Sequence, residues 1–187
     1  MDANFIIAQV FGVLGIITNV VSMHFKKRRT IFLALLLLTV FSILNYVFLG
    51  EISGTYISLF AILEMGVNFL FERKKKPVPK PIIAFYIIAN IAIGALTFKG
   101  FIDVFPIVAA LIFCFTLLTK DEQNIRKEMF CNQVCWLVYD FSVDAYAFGV
   151  SDILTLVSTA IAIYRFSKKN KVKKGKNDKR SPSKIKR

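Results

Sequence analysis

The chain has 187 residues, 56 % of them hydrophobic and 19 of them Phe, with a mean hydropathy of +0.58. A water-soluble domain of that length would expose much of this apolar surface, so composition excludes an ordinary soluble globular protein. The formal net charge of +13 would suit nucleic acid. Its cations, however, sit in short blocks between uncharged runs, the pattern of cytoplasmic loops in a multi-pass membrane protein.

Met1–Asn4 holds an acid and no cation, and the first cations follow the first apolar run. That is the reverse of a cleaved signal peptide, so the first run is expected to remain as a span. Seven apolar segments follow in order: 5–25, 31–49, 53–71, 81–98, 101–119, 129–143 and 146–166. Runs of about 18 apolar residues can cross a hydrocarbon core about 30 Å thick. The sixth segment is shorter, reaches only about 22 Å, and needs shielding by its neighbours. Asp103 and Pro106 blur the ends of the fifth segment, and Asn132, Gln133 and Asp140 those of the sixth.

The loops test the count of spans. With the N-terminus outside and the C-terminus in the cytoplasm, 24 of the 25 cations fall inside and only Lys99 faces out. The block Lys26, Lys27, Arg28, Arg29 is then cytoplasmic, and "LGEISG" (49–54) is a tight outer turn. The predicted fold is an all-α integral membrane protein of seven transmembrane helices in a 3+1+3 parallel-repeat arrangement. It divides into a first three-helix bundle (1–71), a basic loop and linker helix (72–98), a second bundle (99–167) and a disordered basic tail (168–187). An odd linker helix lets both triplets enter from the same side. An offset of 93 supports the repeat: "LNYVF" (44–48) meets "LVYDF" (137–141), so that Tyr46 meets Tyr139, and Ser58 meets Ser151.

Three stretches carry a family resemblance: "AQVFGVLGII" (8–17), "YVFLGEISGTYISLFAIL" (46–63), and "IRKEMFCNQVCWLVYDF" followed by "IAIYRF" (125–141, 161–166). Over roughly residues 5–167 the chain resembles the YgjV-type bacterial inner-membrane proteins. It looks distantly similar to the SWEET/PQ-loop seven-helix transporters, a group that includes nicotinamide riboside carriers, although the Pro-Gln pair of the PQ-loop proteins is absent. The resemblance implies a multi-pass protein of the bacterial cytoplasmic membrane.

Several intramembrane polar residues are candidates for chemistry. Glu64, well inside the third segment, must be paired, hydrated or protonated. It reads either as a solute or proton site or as a packing carboxyl. Asn68 shares its helix face. Asn90 and the mid-span Trp136 complete the primary candidate site. Asn19, Asn45, Asn132 and Asp152 are secondary candidates that could equally tie helices together. Tyr46 and Tyr139, near the expected outer boundary, read as aromatic-belt anchors. Cys114, Cys131 and Cys135 read as small buried hydrophobes.

No catalytic motif or metal-ligand spacing occurs, and the single histidine, His24, argues against a His-based metal site. No enzyme activity, metal or cofactor is expected. The expected partners are the bilayer, anionic lipids at the basic tail and an unidentified small solute, with no specific nucleic acid and with association into a homo-oligomer left open. The leading expectation is a small-solute transporter or facilitator with a polar site between two bundles. The alternative is a membrane scaffold or lipid-interacting protein whose tail does the recognising.

Overall fold

The computed structural model describes residues 2–22, 28–119 and 121–180, with side chains described through residue 164 except at Arg28, Ile31 and Glu122. Every long regular element among them is an α-helix: α1 (Ala3–Ser22), α2 (Arg28–Leu49), α3 (Ile52–Arg73), α4 (Lys80–Thr97), α5 (Val104–Thr116), α6 (Glu122–Ser142) and α7 (Tyr146–Arg180). A short 3-10 turn, Phe101–Asp103, leads into α5. By length and composition α1, α2, α3, α4 and the Tyr146–Tyr164 part of α7 could each cross a membrane, whereas α5 is a shorter apolar helix. The basic block at 26–29 falls largely outside the described residues, and α2 begins within it, at Arg28.

Local chemistry sets the ends of these helices. At the end of α2, Gly50 takes a positive φ of 76°, a conformation that costs glycine little. The Glu51 N–H then reaches back to the Tyr46 carbonyl at 2.9 Å. The end of α6 repeats this turn with Asp144 at φ 60°, and the Ala145 N–H bonds to the Asp140 carbonyl at 2.8 Å. At the start of α6, the Asp121 carboxylate accepts from the backbone N–H of Gln123 (2.8 Å) and Asn124 (3.0 Å), an N-cap that starts the helix seven residues before the apolar run.

The contacts among helices form a closed cycle in the order α1, α2, α3, α5, α6, α7, while α4 packs against α3 and α5. Close approach within this cycle depends on small residues. A Cβ placed on Gly12 of α1 would lie 2.5 Å from the Ala147 Cβ of α7, so only glycine admits that approach. The α1–α2 and α5–α6 pairs use one device. Asn45 Nδ2 donates to the Ala8 carbonyl at 2.7 Å, and Asn132 Nδ2 to the Ala109 carbonyl at 2.6 Å. Both alanines are fully buried.

Three expectations are corrected. Tyr46 and Tyr139 are not belt anchors: they are 1 % and 0 % exposed, because their hydroxyls find partners inside the protein. Among the cysteines only Cys114 is buried. Cys131 is exposed and Cys135 half-buried on α6, where an apolar thiol can face hydrocarbon as readily as a core. The tail expected to be disordered is helical as far as Arg180. Lys and Arg are good helix formers, and a helix already nucleated extends at little cost. Residues 181–187 lie outside the described residues.

Candidate functional site: a cavity lined by matching positions

A cavity of about 340 Å³ lies among α1, α2, α3, α6 and α7. Of its sixteen described lining residues, twelve fall into six pairs separated by 94 positions. From α2 and α6 come Leu35 with Met129, Thr39 with Gln133, Ser42 with Trp136, and Tyr46 with Asp140. From α3 and α7 come Ser58 with Asp152 and Ala61 with Thr155. The same spacing separates the starts of α2 and α6 (Arg28, Glu122), those of α3 and α7 (Ile52, Tyr146), and the two turn hydrogen bonds. The offset of 93 expected from sequence is therefore one residue short. On a helix one residue is about 100° of rotation, enough to match lining positions with the wrong face.

The two sides of the cavity differ in chemistry. The α2–α3 side offers mostly small hydroxyl and aliphatic groups, such as Thr39, Ser42, Ser58 and Ala61. The facing α6–α7 side carries an amide, an indole and two carboxyls: Gln133, Trp136, Asp140 and Asp152. Gln133 Nε2 donates to Asp152 Oδ1, and the Tyr46 hydroxyl donates to Asp140 Oδ1 at 2.5 Å. From α1, Asn19 Nδ2 lies 2.9 Å from the hydroxyls of both Ser151 and Thr155 on α7. Trp136 stacks on Tyr46 with ring centroids 6.2 Å apart, and Tyr46 meets Tyr139 edge-on at 5.6 Å. No described Lys, Arg or His lines the cavity.

The start of α3 is held by the same aromatic group. Glu51, its N-cap, makes no side-chain cap hydrogen bond. The hydroxyl of Tyr139 on α6 instead accepts from the Gly54 N–H at 2.9 Å and donates to Glu51 Oε2 at 3.4 Å. A Cβ on Gly54 would stand 2.8 Å from the Tyr139 ring, so α3 can approach α6 here only as glycine. Burial, followed by the nearby Asp103 carboxylate, pushes the Glu51 carboxyl above its ordinary range, while Lys99 and the Tyr139 hydroxyl oppose the shift.

The residues expected to form one site separate into two groups. Trp136, Asn19 and Asp152 line the cavity. Glu64 and Asn90 do not. They meet between α3 and α4, where Asn90 Nδ2 donates to Glu64 Oε1 at 2.8 Å and to the Tyr86 carbonyl at 3.0 Å, with the Cys114 sulfur of α5 at 3.8 Å from both side chains. Asn68 lies beside them, 3.5 Å from the Tyr86 hydroxyl. Asn45 and Asn132 tie helix pairs, as above. Sequence reasoning passed over Thr39, Ser42 and Ser58, because hydroxyls are ordinary in membrane helices. Only the correct repeat spacing could have singled them out. Among the described residues no group of His, Cys, Asp or Glu could hold a metal ion.

A family model described as a bacterial inner membrane protein, Imp-YgjV, matches residues 6–170. No curated protein and no solved structure matches the chain, so the likeness to SWEET/PQ-loop transporters gains no support from either comparison. The match spans nearly all of the described helices, and the chain belongs to the YgjV family of bacterial inner membrane proteins.

Proposed function

We propose that this protein carries a small solute across the bacterial inner membrane, through the cavity between two parallel three-helix repeats. The observation that carries the reading is the pairing of cavity-lining positions at a single spacing of 94. Two repeats related by an axis along the membrane normal bring equivalent faces to one central space, and alternating access then needs only rocking of one triplet against the other. α1–α3 and α5–α7 are the triplets, and α4 is the linker. The N-terminus lies outside and the C-terminus in the cytoplasm in this reading, which the distribution of cations supports.

The asymmetry of the lining assigns recognition to the second triplet. Trp136 offers a stacking face, and Gln133 and Asp152, joined by Asn19 from α1 of the first triplet, offer hydrogen bonds. The acidic lining, with no cation among its described residues, favours a neutral or cationic solute with several polar groups over an anion. The basic tail holds the C-terminus at the anionic leaflet and takes no part in the site. The test is uptake by proteoliposomes offered sugars, nucleosides and vitamins. Uptake of one class, lost in Trp136→Ala and retained in Glu64→Gln, supports the proposal. Uptake of none of these classes into sealed, correctly inserted vesicles argues for the scaffold alternative.

A further inference from the structure

Asp140 and Asp152 reach the same cavity from two helices, and both are more than nine-tenths buried. Both face that one space from adjacent helices, close enough for their carboxyls to interact. Each already receives one donor, from Tyr46 and Gln133 respectively, and Asp152 Oδ2 is buried with no donor among the described residues. Two ionised carboxylates are both acceptors and cannot hydrogen-bond each other. One proton held by the pair supplies an O–H donor in place of a second negative charge, gives the orphan oxygen a role and halves the buried charge.

The groups facing the pair leave the cavity as the source of that proton. α2 contributes the Tyr46 hydroxyl, α6 contributes Gln133 and, behind Tyr46, Tyr139, and α1 contributes the neutral Asn19. α3 contributes Ser58 and Ala61, while its N-cap Glu51 and the Asp103 carboxylate before α5 act on Tyr139. No described cation is among them, so the pair has no counter-ion to hold both carboxyls ionised.

We infer that Asp140 and Asp152 form a single proton-binding site that opens onto the cavity. The site binds one proton from cavity water and returns it there. Its use as the coupling ion of solute movement rests on the transport reading. The existence of the site does not.

The chain contains one tryptophan, Trp136, which lines this cavity and stacks on the tyrosine bonded to Asp140, so its fluorescence reports on the pair. In lipid nanodiscs the wild-type emission should show a pH transition that Asp152→Asn and Asp140→Asn each abolish or displace, and that Glu64→Gln leaves in place. A flat wild-type profile, or a transition unmoved in both Asn variants, overturns the proposal. If the Asn variants do not fold, infrared spectroscopy of the protein carrying Glu51→Gln and Glu64→Gln at neutral pH decides it. A carbonyl band of a protonated, solvent-shielded carboxylic acid supports the shared proton, and its absence overturns it. Both readouts need no solute, so a failed uptake screen beside a clear titration refutes transport and leaves the proton site standing.

Discussion

Tyr46 and Asp140 are joined by a 2.5 Å hydrogen bond, and their backbone carbonyls close the two matching turns at the ends of α2 and α6. In the proposed repeat they are equivalent positions, and contact between equivalents puts both beside the axis relating the triplets. One member is a phenol and the other a carboxyl, so this contact is where the repeat's symmetry gives way to donor–acceptor complementarity. Tyr46→Phe keeps the ring contacts with Trp136 and Tyr139 but leaves a buried carboxyl short of a donor. Thermal unfolding in detergent should register a loss of about 1–3 kcal/mol.

The approach of α3 to α6 gives a second expectation. Gly54→Ala would put a methyl 2.8 Å from the Tyr139 ring and 2.9 Å from its hydroxyl. Overpacking of this kind costs about 1–3 kcal/mol. Gly66, on the same helix, has nothing within 4 Å of its would-be Cβ. There Gly66→Ala should stabilise α3 by about 0.5–1 kcal/mol. Melting curves of the two variants should therefore shift in opposite directions.

Glu64 is held by Asn90 away from the cavity. Glu64→Gln should preserve both folding and uptake. Glu64→Leu strands one amide proton of Asn90, whose other donor is kept by the Tyr86 carbonyl, and should cost about 1–3 kcal/mol. A Gln variant that folds but loses uptake would return Glu64 to the solute path.

Glu51 gives a pH dependence with a definite sign. Its folded carboxyl titrates above its ordinary range, so folding favours the protonated form. The stability this contributes is present below the unfolded pKa and is lost as pH rises through the folded one. Glu51→Gln should match the wild type in acid and melt higher than it above that window, as melting temperatures of both proteins across pH would show.

The helices were legible in the sequence wherever apolar runs were uninterrupted. α2 and α4 begin and end within three residues of their expected bounds. α6 was not: its first turns are polar, and the signal for its start is Asp121 capping Gln123 and Asn124, which an apolar count cannot see. The site was half legible. Trp136, Asn19 and Asp152 stood out as polar or bulky groups in mid-span, but so did Glu64 and Asn90, which serve a different helix contact. Helix rotation separates Glu64 from the cavity, and a repeat offset wrong by one residue hides it, whereas Asn90 is kept away by its place on α4, which packs against α3 and α5. Tyr46 and Tyr139 were misread for a related reason. Position along a span is visible in sequence, whereas the face a tyrosine presents depends on partners contributed by other helices.

The central claim is that the paired positions line a water-accessible path. It is tested most directly by thiol accessibility in a background with Cys114, Cys131 and Cys135 replaced by Ala. Ala61→Cys and Thr155→Cys, one of the six pairs, should react with a small water-soluble thiol reagent in nanodiscs, because the reactive thiolate forms where water reaches. Leu63→Cys, at a position 63 % exposed on the outside of the helices, should stay inert in hydrocarbon. Reaction at both members of the pair, and not at Leu63→Cys, is the predicted result. Ala61→Cys and Thr155→Cys as unreactive as Leu63→Cys would contradict it.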